Sequence, residues 1–399
     1  MQPTVFVLDN PIQNYAWGSR TAISELLGRP TPSSRPEAEL WIGAHPKAPS
    51  RVLEPAGLGN LEQVIAGDPV SLLGREVCDR FGNELPFLFK VLAAAAPLSI
   101  QAHPDQEQAR RGWARENSEG VPRDAPQRNY RDANHKPELL CALVPFVALK
   151  GFRAHEEIAR RLGPVVQPEL SPELGRLARE RSAPALRALL ARLLTLEPEE
   201  RASILRRAAS DAERGREGLE WEWVARLLQA YPDDAGVLAP LYLNLLTLAP
   251  GEALFLPAGE LHAYLEGSAL EIMANSDNVL RGGLTPKHVD VPELLATLVF
   301  EPRPPEVLLA ERSGPGERVY RTPAREFELA LVEVAAGRPF RSSVGRGVEI
   351  LLGLAGDVLV EAGTLTRSLR RGQTVLVPAS LPGYVLKGAG SLARARVPG

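Results

Sequence analysis

Residues 251–262 of this chain read GEALFLPAGELH, and this stretch decides the predicted fold. The pattern G-x5-P-x-G-x2-H combines a glycine turn, a short apolar strand and a tight corner formed by Pro257 and Gly259. His262 follows directly after that corner. The stretch therefore predicts a β-unit that presents one histidine beside a turn.

The same pattern returns near the C-terminus, where residues 372–383 read GQTVLVPASLPG. Gly372 matches Gly251, and a proline and an alanine follow at the same spacing in both copies. At the position of His262 the second copy has Gly383. Because repeated β-units indicate repeated architecture, we predict two β-domains, of which only the first carries a functional site.

The chain between and around the two copies divides by pattern. Residues 1–152 contain short apolar runs bounded by proline and glycine, which indicate strands, and strand character returns from about residue 240. Between them, leucines at 186, 189, 190, 193 and 194 follow helical spacing. SAP at 182–184 and TLEPEE at 195–200 predict helix starts with a capping hydroxyl and an early proline. We therefore predict a catalytic β-domain of residues 1–152 and 237–303, a helical insertion of 153–236, and a C-terminal β-domain of 304–399.

A second candidate element lies upstream, in LSIQAHPDQEQ at residues 98–108. Gln101 and His103 would point to the same face of a strand, because side chains alternate with period two. Two polar groups at the end of an apolar strand do not suit a packed core, whereas a metal ion would explain them.

Composition excludes several classes of protein. The 399 residues carry a formal net charge of -3, which argues against nucleic-acid and anionic-membrane partners. Only two cysteines are present, and no apolar run approaches the roughly 18 residues of a membrane span. The N-terminus lacks the basic and apolar regions of a signal peptide. We expect a cytoplasmic protein, and a monomer.

Lysine is rare in this chain, which uses arginine for most of its positive charge. The lysines are Lys47, Lys90, Lys136, Lys150, Lys287 and Lys387. A lysine retained against such a bias, within a polar motif, is a candidate for a role that needs a compact ammonium group or a tunable pKa.

Several motifs together resemble one known family. They are IQNYAWGS, AELWIGAHPKAPS, LPFLFKVLAAAAPLSIQAHPDQ, NYRDANHKPEL, PAGELHAY and ANSDNVLRGGLTPKHVDV, spread over about residues 10–290. They resemble the type I mannose-6-phosphate isomerases of the cupin superfamily. The resemblance implies a mainly β fold with two cupin-type jelly rolls, one catalytic and one C-terminal without metal, plus an α-helical domain.

The resemblance also implies a metal site. Its ligands would be Gln101, His103, Glu138 and His262, holding one Zn²⁺ per chain. Two imidazole nitrogens and a carboxylate oxygen are ordinary zinc ligands. Because the fourth ligand is a neutral amide, zinc and the Glu138 carboxylate would leave the site at about +1, a good Lewis acid.

For the chemistry, the resemblance implies metal-dependent interconversion of mannose 6-phosphate and fructose 6-phosphate through a cis-enediolate. The implied or candidate catalytic residues are Arg281, Lys136, His135 and Asp277, and the candidate substrate-binding residues are Ser99, Lys90, Glu271 and Lys287. Pro137 favours extended backbone before it, so Lys136 and Glu138 should share a face. We interpret Trp17, Trp41 and His45 as wall residues and assign no function to His155 or His288.

Two alternatives belong to other classes. Two histidines and a carboxylate also describe the facial triad of iron-dependent cupin oxygenases. A non-catalytic sugar-phosphate-binding cupin is the second alternative. The cations Lys136, Arg281 and Lys287 favour a phosphorylated substrate over the oxygenase, and the complete ligand set with Arg281 favours turnover over binding alone.

Overall fold

The structure is a computed structural model that describes residues 4–399. It is mainly β, and all strand pairs among the described residues are antiparallel. The first strands are β1 (Phe6–Asp9), β2 (Ile12–Gln13), β3 (Glu39–Ile42), β4 (Arg51–Glu54), β5 (Phe87–Ala94), β6 (Ile100–Ala102), β7 (Glu138–Ala142), β8 (Phe146–Phe152), β9 (Leu243–Leu248), β10 (Glu252–Leu256), β11 (His262–Ala274) and β12 (Leu280–Gly283). The remaining strands are β13 (Leu308–Leu309), β14 (Glu311–Gly314), β15 (Glu317–Tyr320), β16 (Glu328–Val334), β17 (Phe340–Arg341), β18 (Glu349–Ala362), β19 (Leu365–Arg370), β20 (Thr374–Val377) and β21 (Val385–Arg396).

These strands form two large sheets. The first sheet has 11 strands, β2, β3 and β5–β13, and the second has 10, β1, β4 and β14–β21. The N-terminal strands β1 and β4 thus belong with the C-terminal strands, since β1 pairs with β20 and β4 pairs with β1. The predicted boundary near residue 304 therefore does not separate the two sheets, because the chain crosses between them near its start.

The helices are α1 (Ala22–Leu26), α2 (Leu61–Gly67), α3 (Pro69–Leu73), α4 (Arg75–Phe81), α5 (Gln106–Ser118), α6 (His155–Val166), α7 (Ser171–Glu180), α8 (Ala183–Leu194), α9 (Pro198–Glu213), α10 (Leu219–Ala230), α11 (Ala239–Tyr242) and α12 (Val291–Thr297). A 3₁₀ turn covers Ala235–Leu238. Helices α6–α10 lie within the segment that the leucine spacing predicts to be helical, and Leu162 and Leu189 pack in one cluster with Leu149 and Ala263 of the first sheet. No helix within residues 4–399 is long and apolar enough to cross a bilayer.

The predicted helix starts differ in one detail. Ser182 caps α8 as expected, by accepting a hydrogen bond from the backbone N–H of Ala185. The hydroxyl of Thr195 does not cap α9, because Thr195 is the C-terminal cap of α8. Glu197 is the cap of α9 instead, and it forms a capping box with Glu200.

The two copies of the repeat adopt similar local structure. Gly251 precedes β10 and Gly372 lies just before β20, and both have positive φ, +86° and +78°. A Cβ atom at residue 372 would lie 2.5 Å from the Leu26 carbonyl oxygen, so this turn has no room for a side chain. The glycines of the motif are therefore turn positions.

The first sheet uses its two faces differently, as β5 illustrates. Phe87, Phe89 and Val91 point into a core that also contains Phe327 and Ile350 from the other part of the chain. The alternate residues of β5 are Leu88, Lys90 and Leu92, and they line a cavity. Both faces of this strand are therefore buried, one against the second sheet and the other around the cavity.

The second sheet contains a buried charged cluster. Glu349 is 0% exposed and Arg394 is 1% exposed, and their side chains pair at 3.5 Å. The Tyr384 hydroxyl donates to Glu349 at 2.5 Å, and Arg394 also pairs with Glu317. Each charged group therefore has an opposite charge or a hydrogen-bond donor beside it, which is the condition under which burial is tolerated.

We predict that Glu349→Ala lowers the free energy of unfolding by roughly 3–5 kcal/mol, because it leaves Arg394 with one carboxylate partner and Tyr384 without an acceptor. Urea unfolding followed by circular dichroism measures the change. Glu333→Ala is the matched control: Glu333 is 67% exposed and pairs with Arg318 at the surface, so its loss should change stability by about 0.5 kcal/mol or less. Equal effects of the two substitutions would contradict the prediction.

Candidate metal centre and substrate pocket

Three buried side chains converge on one point. Ligand atoms of His103, Glu138 and His262 all lie within 4.8 Å of one another. The three residues are 1%, 2% and 1% exposed. Among the described residues this is the one group of histidine, cysteine and acidic side chains arranged to hold a metal ion.

Strand pairing brings these residues together. Glu138 begins β7, His262 begins β11, and His103 follows β6. The long strand β11 pairs with both β6 and β7, and it places Gln101 directly opposite His262. The four predicted ligands therefore approach each other from three strands of one sheet.

The hydrogen bonds of the two histidines leave one ring nitrogen free on each. Nδ1 of His103 lies 2.8 Å from the Asn278 carbonyl oxygen, and Nδ1 of His262 lies 2.9 Å from that of Glu260. A carbonyl only accepts, so Nδ1 must carry the proton and Nε2 must present its lone pair. Each buried Nε2 makes no hydrogen bond with suitable geometry, and these atoms lie 3.3 Å and 3.6 Å from the oxygens of Glu138. The two unpaired imidazole nitrogens and the carboxylate oxygens face the same point, and together they form a donor set that suits a metal ion.

The protonation states agree with this arrangement. Burial lowers the pKa of His262 to about 4, and burial also lowers the pKa of His103. Burial alone would raise the pKa of Glu138, but the Lys136 ammonium and His103 hold it well below its ordinary value. Near neutral pH the site thus contains neutral imidazoles and a carboxylate, the forms that bind metals.

A cavity of about 290 Å³ opens beside this centre. Gln101 and Ser99 line it, as do Glu138 and Lys136. Lys136 is 8% exposed, and its Nζ lies 3.1 Å from Oε1 of Glu138. The expected common face of Lys136 and Glu138 is present, since both line the same cavity.

Three cations in this cavity have no acidic partner within ion-pairing distance among residues 4–399. They are Arg131, Arg281 and Lys287. Burial lowers the pKa of Arg281, with a further contribution from Arg131. Burial and the two neighbouring guanidinium groups lower the pKa of Lys287. Unpaired cations that repel each other predict an anionic ligand. The sequence analysis did not include Arg131, although it precedes NHKPEL in a polar segment.

Lys90 and Glu271 line the cavity, but they are paired with each other. Nζ of Lys90 lies 3.0 Å from Glu271 and 3.6 Å from Glu39, and all three side chains are buried. The ammonium group also lies 5.5 Å from the Trp41 ring centroid. Its charge is therefore already balanced by two carboxylates, which makes Lys90 a poor candidate for holding a phosphate.

Asp277 also lines the cavity and has two partners that the sequence analysis did not link to it. Its oxygens lie 2.8 Å from Nζ of Lys47 and 3.6 Å from Nε2 of His45. Burial lowers the pKa of His45 to about 4. His45 thus contacts a candidate catalytic carboxylate and is more than a wall residue.

The rarity of lysine in the sequence indicated the site residues, since Lys47, Lys90, Lys136 and Lys287 all line this cavity.

His135 does not reach the cavity. In the extended segment before β7, Lys136 and Glu138 point inward, so the side chain of His135 points to the opposite side. There it lines a different cavity, and its Nε2 lies 2.8 Å from Oε1 of Glu326. The prediction that His135 takes part directly in catalysis is therefore not supported by its position.

Asn278 connects the metal centre to the segment that carries Arg131. It is 0% exposed. Its side-chain oxygen accepts the backbone N–H of Arg131 at 2.7 Å, and its amide nitrogen donates to the Asn134 carbonyl at 2.9 Å. Its own carbonyl accepts from His103, as described above. One buried asparagine therefore holds both the candidate ligand His103 and the backbone of Arg131, whose side chain lines the cavity.

Comparison with known proteins agrees with this geometry. Residues 5–155 match the model of the catalytic domain of type I phosphomannose isomerase. The mannose-6-phosphate isomerase of Escherichia coli (strain K12) is 44% identical over 391 residues, covering 97% of this chain and 98% of that protein. The enzyme of the same name from Homo sapiens is 37% identical over 415 residues, covering 97% of this chain and 94% of that one.

Solved structures of the same enzyme are also similar. A zinc-bound mannose 6-phosphate isomerase superposes with a TM-score of 0.92 at 40% identity, covering 98% of this chain and 99% of that one. The apo form from Salmonella typhimurium gives a TM-score of 0.90 at 41% identity, with the same coverage. The chain therefore belongs to the type I phosphomannose isomerase family.

Proposed function

We propose that this pocket interconverts mannose 6-phosphate and fructose 6-phosphate, as a metal-dependent aldose–ketose isomerase. One observation carries the proposal: a buried His–Glu–His centre adjoins, through Glu138, a cavity lined by three unpaired cations. The centre suits chemistry at a sugar carbonyl and the cations suit a phosphate. Family membership supports the same activity. The direct test is a coupled assay for fructose 6-phosphate formed from mannose 6-phosphate.

The metal is zinc, one ion per chain, held by His103, Glu138, His262 and the amide oxygen of Gln101. The orphaned Nε2 atoms fit this group, and a relative of 40% identity has been solved with zinc bound. When bound, zinc supplies Lewis-acid stabilisation of the negative charge that develops on the sugar oxygens.

The cations divide by position into two roles. Arg281 lies opposite Gln101 in the pairing of β12 with β6, so it stands close to the metal centre. A fixed guanidinium there stabilises the developing enediolate oxygen without reorganising. Lys287 is exposed at the mouth of the cavity, where with Arg131 and Ser99 it binds the remote phosphate. The binding energy of the phosphate then positions the reacting carbons.

Side chains that line the cavity would transfer the protons of the reaction. The reaction opens the sugar ring and moves one proton between C2 and C1. Lys136, beside Glu138, and Asp277, beside Lys47 and His45, are the groups that can hold or move these protons. Glu271 accepts a hydrogen bond from Lys90 at 3.0 Å, burial raises its pKa, and the carboxyl group is suited to form a hydrogen bond with a sugar hydroxyl.

We propose the finer architecture on the same basis. The first sheet and the second sheet would each contain a cupin-type jelly roll, with 153–236 as a helical insertion domain and 304–399, completed by β1 and β4, as the C-terminal domain. The repeated glycine turn and proline corner support this assignment. We further propose a cytoplasmic monomer that feeds mannose and GDP-mannose metabolism; the free thiols of Cys78 and Cys141 suit a reducing compartment.

The first functional prediction concerns the metal. Chelation should abolish turnover, and added Zn²⁺ should restore it, because the catalytic charge stabilisation requires the ion in every working site. Elemental analysis of the active protein should give about one zinc per chain. A fully active preparation with much less than one metal ion per chain would contradict the proposal.

A second prediction follows from the repeat. Residues 304–399 should bind no metal, because Gly383 occupies the position of His262 and the described residues of this segment form no ligand cluster. An anomalous scattering map of the zinc-loaded protein is the measurement. A metal peak within this segment would refute the assignment of a purely structural role.

A third prediction separates catalysis from binding. Arg281→Ala should lower kcat by about 10²–10³, equivalent to roughly 3–4 kcal/mol, with little change in KM and none in zinc content. Lys287→Ala should mainly raise KM, if its phosphate contact is equal in the ground and transition states. Steady-state kinetics of both variants with fructose 6-phosphate decide. An effect of Arg281→Ala on KM alone would move this residue to the phosphate site.

A further inference from the structure

A contact links the segment that enters the pocket to the C-terminal part of the chain. Nε2 of His135 lies 2.8 Å from Oε1 of Glu326, across 191 positions of sequence. The two side chains are 30% and 14% exposed, so the pair is partly shielded from water. A hydrogen bond to a carboxylate in such a partly shielded place is stronger than the same bond in open water, because solvent competes with it less.

Glu326 offers a fixed acceptor. The next residue, Phe327, is 1% exposed and packs in the core shared by the two sheets. Oε2 of Glu326 accepts the backbone N–H of Arg325 at 3.1 Å, so both oxygens are occupied. Burial alone would raise the pKa of Glu326, but the hydrogen bond from His135 and its charge hold the pKa below the ordinary value.

The pair acts on two residues that lie between anchors: Ser276 Oγ donates to the Asn134 carbonyl at 3.1 Å, and the Ala274 backbone N–H donates to the Pro137 carbonyl at 3.1 Å. Upstream, Asn278 holds residues 131–134, and downstream Glu138 enters β7. Between these points, the described side-chain contacts are the bond of His135 to Glu326 on the outside and that of Lys136 to Glu138 on the inside. The Cα atoms of His135 and Lys136 are about 3.8 Å apart, so fixing one residue restricts the other.

We infer that Glu326 and His135 are positioning residues for the isomerase: the C-terminal part of the chain holds, through this hydrogen bond, the segment that presents Lys136 to the substrate. The inference rests on the proposed function, because Lys136 matters only where a sugar phosphate binds. It gives His135 a role that its outward position allows, in place of direct proton transfer. It also gives the metal-free C-terminal part a contribution to turnover.

Kinetics of Glu326 variants test this inference. Glu326→Ala should lower kcat for mannose 6-phosphate by about 10-fold or more, since a displacement of about 1 Å costs up to 10²-fold. KM and zinc content should change by less than about twofold, because the phosphate cations and the metal ligands are held elsewhere. Glu326→Gln retains an acceptor oxygen and should restore most of kcat. Glu333→Ala, which removes an exposed carboxylate from the same sheet, should leave kcat unchanged.

A double-mutant cycle with His135→Ala completes the test. If the two residues act only through each other, the double variant should be no slower than the slower single variant. Additive losses, or a His135→Ala defect far larger than that of Glu326→Ala, would overturn the inference and return His135 to direct chemistry. An unchanged kcat in Glu326→Ala would also overturn it. If Glu326→Ala does not fold, Glu326→Asp makes the same comparison, because it withdraws the acceptor oxygen from His135 by one methylene. Failure of the wild-type chain to turn over mannose 6-phosphate would instead refute the proposed function.

Discussion

The carboxylate of Glu138 is the charge on which the site depends. At 2% exposure it has lost nearly all of its water, and an isolated carboxylate in such a place costs several kcal/mol. Lys136 at 3.1 Å supplies part of the compensation, and a bound dication would supply the rest. The need to balance this one charge explains why a lysine is buried beside it. The bare nitrogens of the two histidines would repel the carboxylate, and only a bound cation between them removes that repulsion.

The position of Glu138 relative to its partners depends on how strand β11 pairs with its neighbours. Its first residue is the candidate ligand His262. Glu271 and Met273, near its end, line the cavity beside the metal centre. Pairing with β6 on one side and β7 on the other sets where Gln101, His103 and Glu138 can lie. A one-residue slip in this register would turn the ligand side chains to the opposite face of the sheet. The metal centre is therefore specified by backbone pairing as much as by the ligands.

The sequence was sufficient where a motif lies within one element. The glycine turns, the proline corner and His262 could be predicted because spacing alone determines them, and the leucines of 186–194 predicted a helix for the same reason. Contacts across the chain were not accessible in this way. Nothing in the local pattern shows that Lys90 is neutralised by Glu39 and Glu271, or that β1 and β4 join the C-terminal strands. His135 shows the remaining limit: the alternation that put Lys136 and Glu138 on one face also implied that His135 points away, but the motif NHKPEL was interpreted as a single polar cluster.

The second sheet explains why the C-terminal copy of the repeat can keep its structure with glycine at the position of the histidine. Side chains alternate along β5, β7 and β11. Those that do not line the cavity pack in the core shared with the second sheet, and examples are Phe89, Leu139 and Ile272. Each cavity residue therefore has neighbours on its own strand that are held by this core. Because protein cores are close-packed, a change in one layer is transmitted to the other. The strands, turns and apolar residues of the C-terminal copy remain under that constraint, whereas a histidine at residue 383 would serve no ligand set there. The second sheet supports the first through its apolar packing surface. That surface is required whether or not the second sheet binds a metal.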